Sequence, residues 1–340
     1  MSPNNARRKP KKFTGQPSPS RDLVFSTKWH NLVEFHDERG KPYRRFYKLE
    51  TLTSAIDKLV REQDRFLVPT IQKVLGSNSR LTSIVFELVE EDALRYIFQV
   101  RATNAQKKRA NVRLVIAKNQ EEATRRLTTE FKHLTALYKQ IPDGMVQPLR
   151  SGALFLPDRY RRDEHHRDIG AYITSAPARF ERLGIHRNTQ YMSLGDAPHT
   201  FSKKETEALK QAMVTLIASA FNPVTRDGLD THQIDPSTFQ VTRPTRGLPK
   251  IKVFNCVHMQ TKLSPPRLLG FLLTDTWESR GVRSLIAPDD PRHFFKALVE
   301  AVGKETAKEW VARFAPLAAA DKVKAPKDGY VPELAEIAAE

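Results

Sequence analysis

The sequence predicts an α+β fold, with an antiparallel sheet in its first half and a mainly helical second half. Three observations predict it. Apolar runs at 96–100 and 112–117 flank a polar loop, as two paired strands do. Directly after them, Leu127, Phe131, Leu134 and Leu137 or Tyr138 recur at helical spacing. Later, Leu209, Met213, Leu216, Ile217 and Ala220 mark one helical face, and Phe294, Phe295, Leu298, Val299 and Val302 mark another.

Composition narrows the function classes. The chain has 340 residues, of which 39% are hydrophobic and 28% charged, as expected of a soluble globular protein with a sizeable core. No apolar run approaches the eighteen or so residues of a membrane span, and the N-terminus has no signal-peptide core. A single cysteine, Cys256, excludes an internal disulfide framework and fits a reducing cytoplasm. The net charge of +17 implies attraction to polyanions such as nucleic acid, nucleotide phosphates or acidic proteins. The sequence carries no signal for oligomeric state.

In chain order, residues 1–22 form a solvated basic arm, with Arg7, Arg8, Lys9, Lys11 and Lys12 and no acid among them. Such an arm suits phosphate contact or an unstructured export leader. Residues 22–48 alternate around Gly40 and suggest a hairpin. Residues 53–75 are helical by period, interrupted at Pro69, and 81–89 fits strand or helix. Asn119 and Glu122 suit a capping box for the helix that follows, and residues 145–149 read as a strand. His165 and His166 sit in a charged stretch that reads as a solvated loop, since no zinc motif surrounds them. Residues 169–175 and 190–194 are further strands, and Ser202 with Glu205 forms a capping box. Residues 228–257 read as a loop and hairpin, 263–290 as loop-rich, and Asp290-Pro291 as a helix start. From Ala318 the chain is Ala-, Lys- and Glu-rich and is expected to fray.

The run Leu114 to Ala117, ending in Lys118 and followed by a helix bearing Glu130, resembles the protein-kinase-like superfamily. The likeness is to its aminoglycoside-phosphotransferase and bacterial small-kinase branch. A strand lysine and a helix glutamate pair there over the ATP phosphates. A strand and helix with Lys and Glu also occur in many plain α/β proteins, so that reading stays open. The resemblance implies a two-lobed, kinase-like fold with a small N-lobe at 91–195 and a mainly helical C-lobe at 196–317. Residues 23–90 become an N-terminal extension and 318–340 a flexible tail. It implies ATP and Mg²⁺ as cofactors, with Lys118 on the phosphates and Glu130 fixing Lys118. Strand 190–194 is expected to run into the segment that holds adenine, near Gln190 and Met192. Asp235 is the candidate catalytic base and Asn255 a weakened metal ligand.

Departures from the pattern bear on catalysis. No glycine lies in 103–111, where Lys107, Lys108 and Arg109 would have to replace backbone amides by charge. Aligned on Pro236, the catalytic Asp falls on Gln233 and the metal-binding Asn on Thr238. Gln is no base and Asn carries no charge to offset Mg²⁺. The expectation is an atypical phosphotransferase or a pseudokinase that binds nucleotide or a partner. The alternative is a basic protein that binds nucleic acid or an acidic protein without catalysis.

Overall fold

The computed structural model describes residues 13–14, 22–25, 66–76, 81–91, 94–118, 121–156, 167–176, 180–186, 190–194, 198–230, 234, 236–242, 247–254, 259–274, 286–326 and 329–340. The chain is α+β and divides into two compact units. One takes residues 1–132 and 147–178, the other 133–146 and 179–340. Among the described residues, no helix is long and apolar enough to cross a membrane.

The first unit is built on one sheet. Its strands are β1 (Phe13–Thr14), β2 (Asp22–Phe25), β3 (Leu81–Glu91), β4 (Arg95–Asn104), β5 (Arg109–Ala117), β6 (Pro148–Leu156) and β7 (Arg167–Ser175). The spatial order is β1-β2-β3-β4-β5-β7-β6, antiparallel except where β2 pairs with β3. Residues 81–89, compatible with helix or strand by pattern, are strand. The strand expected at 145–149 begins later, at Pro148, and runs to Leu156; Met145 instead bridges to Val253 in the second unit. Of the hairpin expected at 22–48, only 22–25 falls within the described residues.

Among the described residues, two helices belong to this unit. In α1 (Leu67–Leu75), Pro69 occupies the first turn, where a backbone N–H has no intrahelical partner to lose, and Gly76 closes the end at φ +61°. In α2 (Glu121–Gln140), Ala123, Leu127, Glu130, Leu134 and Leu137 are buried at spacings of four and three. Residues 121–132 of α2 belong to this unit. Asn119, its expected cap, lies outside the described residues, and Glu122 pairs with Arg126 at 2.6 Å.

The second unit holds a sheet that joins the expected strand 190–194 and the expected hairpin within 228–257 to strands the pattern did not yield. It comprises β8 (Phe180–His186), β9 (Gln190–Leu194), β10 (His199–Thr200), β12 (Phe239–Thr242) and β13 (Ile251–Val253), in the order β10-β9-β8-β12-β13. Strands β11 (Gly228–Leu229) and β14 (Met259–Gln260) form a separate pair. Helix α3 (Lys203–Ser219) starts at the expected capping box: Ser202 Oγ accepts from Glu205 N at 3.3 Å, and Ser202 N donates to Glu205 Oε2 at 2.8 Å. The backbone N–H of Ser202 first, and its hydroxyl, which donates to Glu205 Oε2 at 2.7 Å, hold the Glu205 carboxyl below its ordinary range. Ser202→Ala is expected to cost about 1 kcal/mol in urea unfolding. A depressed carboxyl stabilises above its unfolded pKa and loses that contribution as pH falls through the folded one, so Glu205→Gln should flatten the acid limb.

Among the described residues, four more helices follow: α4 (Pro265–Thr274), α5 (Pro291–Val302), α6 (Lys304–Ala319) and α7 (Tyr330–Ala339). Helix α4 lies where a loop-rich stretch was expected. Leu268 through Leu273 are all buried, so it has no polar face to give a helical period. The C-terminal segment, expected to fray, is also helix. Leu334 is 0% exposed, and Tyr330 Oη donates to Pro288 O at 2.9 Å.

Candidate functional site

Lys118 follows the last residue of β5, which is paired on one side with β4 and on the other with β7. Its own N–H donates to Leu94 O at 2.7 Å, so the ladder extends one step past the strand. The side chain is 1% exposed, and Nζ lies over the Tyr96 ring, 4.9 Å from its centroid. A desolvated ammonium on an aromatic face gains from the ring quadrupole.

Glu130 is 1% exposed and occupies a core position of α2. Arg95 Nη1 donates to both carboxylate oxygens, at 2.7 and 2.8 Å. The carboxylate that the sequence assigns to Lys118 is therefore taken by Arg95, itself only 7% exposed. Neighbouring residues of a strand point to opposite faces, so Arg95 reaches toward α2 while Tyr96, under Lys118, faces the other way.

Tyr172 on β7 completes the cluster, opposite Val115 in the β5–β7 register. Its ring meets Phe131 of α2 at 5.7 Å between centroids, and its hydroxyl lies in the field of the Glu130 carboxylate and the Arg95 guanidinium. Burial first, then the charge of Glu130, push the phenol well above its ordinary value, while Arg95 opposes the shift. Arg95, Glu130 and Tyr172 thus come from β4, α2 and β7 to one buried point. Sequence reasoning missed Arg95 and Tyr172, because only the pairing of Arg95 with Ala117 sets the guanidinium beside the helix.

The other expected site residues fall elsewhere. Gln190 and Met192 lie on β9, in the second unit's sheet, whereas the strand beside Lys118's own is β7. The assignment of 190–194 to the lysine-bearing sheet is corrected accordingly. Asp235 and Asn255 lie outside the described residues. Next to them, Thr238 is buried and Phe254 N donates to Thr238 O at 2.8 Å, so the expected loop and hairpin close on each other. No group of three His, Cys, Asp or Glu side chains suited to a metal occurs among the described residues.

The basic loop is also displaced from the role expected of it. Arg95 pairs with Ala117 at one end of the β4–β5 hairpin and Thr103 with Arg109 at the other. At ~3.4 Å per residue the loop stands roughly 27 Å from Lys118. The amides of Gln106 and Lys108 both donate to Asn104 Oδ1, at 3.0 and 2.9 Å. Those amides are spent within the turn, and Lys107, Lys108 and Arg109 cannot cover phosphates held at Lys118.

No protein-family model matches the chain, and no curated protein matches it. Among solved structures it is similar to a crystal structure of a protein from Haemophilus somnus 129PT provisionally assigned as a fructosamine-3-kinase. The identity is 10%, over 80% of this chain and 95% of that one, with a TM-score of 0.33.

Proposed function

We propose that the protein is kinase-like and binds a nucleotide, with the Lys118 ammonium contacting its phosphates. The observation that carries this reading is the burial, in one unit, of a strand-end lysine and of a carboxylate on the helix that follows. Burying such groups is costly unless each is engaged, so their presence on consecutive elements is unusual for a plain scaffold. In this reading Glu130 does not anchor Lys118 directly. Arg95 holds the carboxylate, and the Tyr96 ring supports the amine.

ATP suits a buried primary ammonium, which offers a point charge to phosphate oxygens. Mg²⁺ finds no matching donor set among the described residues, and no step is assigned to it. Asp235 is our candidate for the base acting on an acceptor hydroxyl. Whether transfer accompanies binding distinguishes an atypical phosphotransferase from a pseudokinase.

The test is a thermal-shift titration with ATP, with and without Mg²⁺, on the wild type and on Lys118→Met, which keeps side-chain bulk and removes the charge. At a hundredfold excess over Kd, a ligand specific to the folded state adds about 2.7 kcal/mol, a rise of several degrees. The wild type should show that rise and Lys118→Met should lose most of it. No rise in the wild type, or an equal rise in the variant, sinks the reading. A second reading, polyanion binding without catalysis, is favoured by one specific observation: the acid-free hairpin β4–β5.

A further inference from the structure

From Arg95 to Gln120 the chain carries seven Lys and Arg residues and no Asp or Glu. The fold sorts these cations. Arg95 and Lys118 are buried at one end of the hairpin, against Glu130 and Tyr96. Lys107, Lys108 and Arg109 are exposed at the other end, roughly 27 Å away at ~3.4 Å per residue. Arg109 faces Thr103 and Arg101 faces Asn111, so the two arginines are diagonal neighbours on one sheet face, a spacing of about 7–8 Å.

The turn that carries the cations is held from within. The Asn104 side chain is 1% exposed and accepts from the amides of residues 106 and 108. Lys107 takes a left-handed φ of +61°, with its N–H on Asn104 O at 2.9 Å. A turn fixed this way presents its charges with little backbone entropy left to lose on binding.

We propose that this hairpin tip is a docking surface for the phosphodiester backbone of nucleic acid, independent of base sequence and separate from the Lys118 site. Two features favour nucleic acid over an acidic protein. The exposed residues from 105 to 109 are Ala, Gln, Lys, Lys and Arg, with no aromatic or large aliphatic anchor of the sort that carries protein–protein affinity. These five residues offer no aromatic ring on which bases would stack, which leaves phosphate contact as the tip's source of affinity. Regularly spaced phosphates match point cations on a fixed turn.

The experiment is fluorescence anisotropy of the full chain with a labelled 20-nucleotide mixed-sequence DNA, single-stranded and duplex, from 50 to 200 mM salt. The variants are Lys107→Gln/Lys108→Gln/Arg109→Gln and, separately, Arg7, Arg8, Lys9, Lys11 and Lys12 all to Gln. The triple variant should bind at least tenfold more weakly at 100 mM salt. Its slope of log K against log salt should be shallower by about 2–3, since each phosphate contact contributes roughly 0.7–0.9. Unchanged affinity and slope in the triple variant overturns the proposal, as does a wild type that does not bind at 50 mM salt. Loss confined to the arm variant overturns it in favour of residues 7–12. Polyglutamate competing as well as unlabelled DNA overturns it in favour of an acidic protein partner. The triple variant should keep the wild-type melting temperature and ATP-induced rise, so this test stands apart from that of the nucleotide site.

Discussion

Arg95→Met is expected to lower the unfolding free energy by about 3–5 kcal/mol, read from the urea midpoint at constant slope. The cost comes less from the attraction lost than from the carboxylate left behind. Glu130 is 1% exposed, and both its oxygens take their contacts from one guanidinium nitrogen. Without Arg95 the charge is left in a site with little access to water. Replacing both partners at once, Arg95→Met/Glu130→Leu, should return most of the loss, because the same volume is then filled by apolar groups. A loss under about 1 kcal/mol in the single variant would show that the pair is not a buried determinant of the fold.

The phenol supplies an independent check on the same cluster. Its folded-state pKa is raised, so its contribution is fully present below the ordinary value of 10.0 and is lost as pH rises through the higher folded value. Tyr172→Phe should therefore have a shallower alkaline decline than the wild type. An identical alkaline limb in the two proteins would mean that the phenol is not kept neutral by its burial and by the Glu130 charge.

How far the chain was legible follows from which signals are local. The strand ending in Lys118 and the helix bearing Glu130 were read correctly because β-branched runs and 3.6-residue periods lie within single elements. That Glu130 meets Arg95 depends on strand register across 35 residues, which no local pattern encodes. The same limit explains strand 190–194. Its existence was legible, but its sheet is set by pairing with Phe180–His186, a strand the pattern did not yield. Helix α4 was invisible because burial on all sides erases amphipathic period. In α7 a signal was present, with Val331, Leu334 and Ala338 buried at helical spacing, but the Ala- and Glu-rich composition outweighed it in the reading.

Gly170→Val is expected to cost about 3 kcal/mol and to reach the Arg95–Glu130–Tyr172 cluster through α2. Gly170 is two residues from Tyr172 on β7, and alternation puts both on the face that α2 covers. A Cβ at 170 would stand 3.0 Å from Thr124 Cγ2, 3.2 Å from Thr124 O and 3.3 Å from Thr124 Cα. The Gly170 N–H also donates to Thr124 Oγ1 at 3.1 Å, so strand and helix are in polar as well as steric contact. Even alanine requires a retreat of a few tenths of an ångström, and valine requires more. Because α2 also carries Glu130 and Phe131, a retreat at Thr124 loosens the grip of Arg95 on the carboxylate and the packing of Phe131 on Tyr172. The unfolding midpoint should fall. Adding Thr124→Ala removes the methyl contact but not the two backbone contacts, so it should restore only part of the loss. Full restoration would mean that the side chain alone, and not the helix backbone, sets the distance between α2 and the sheet.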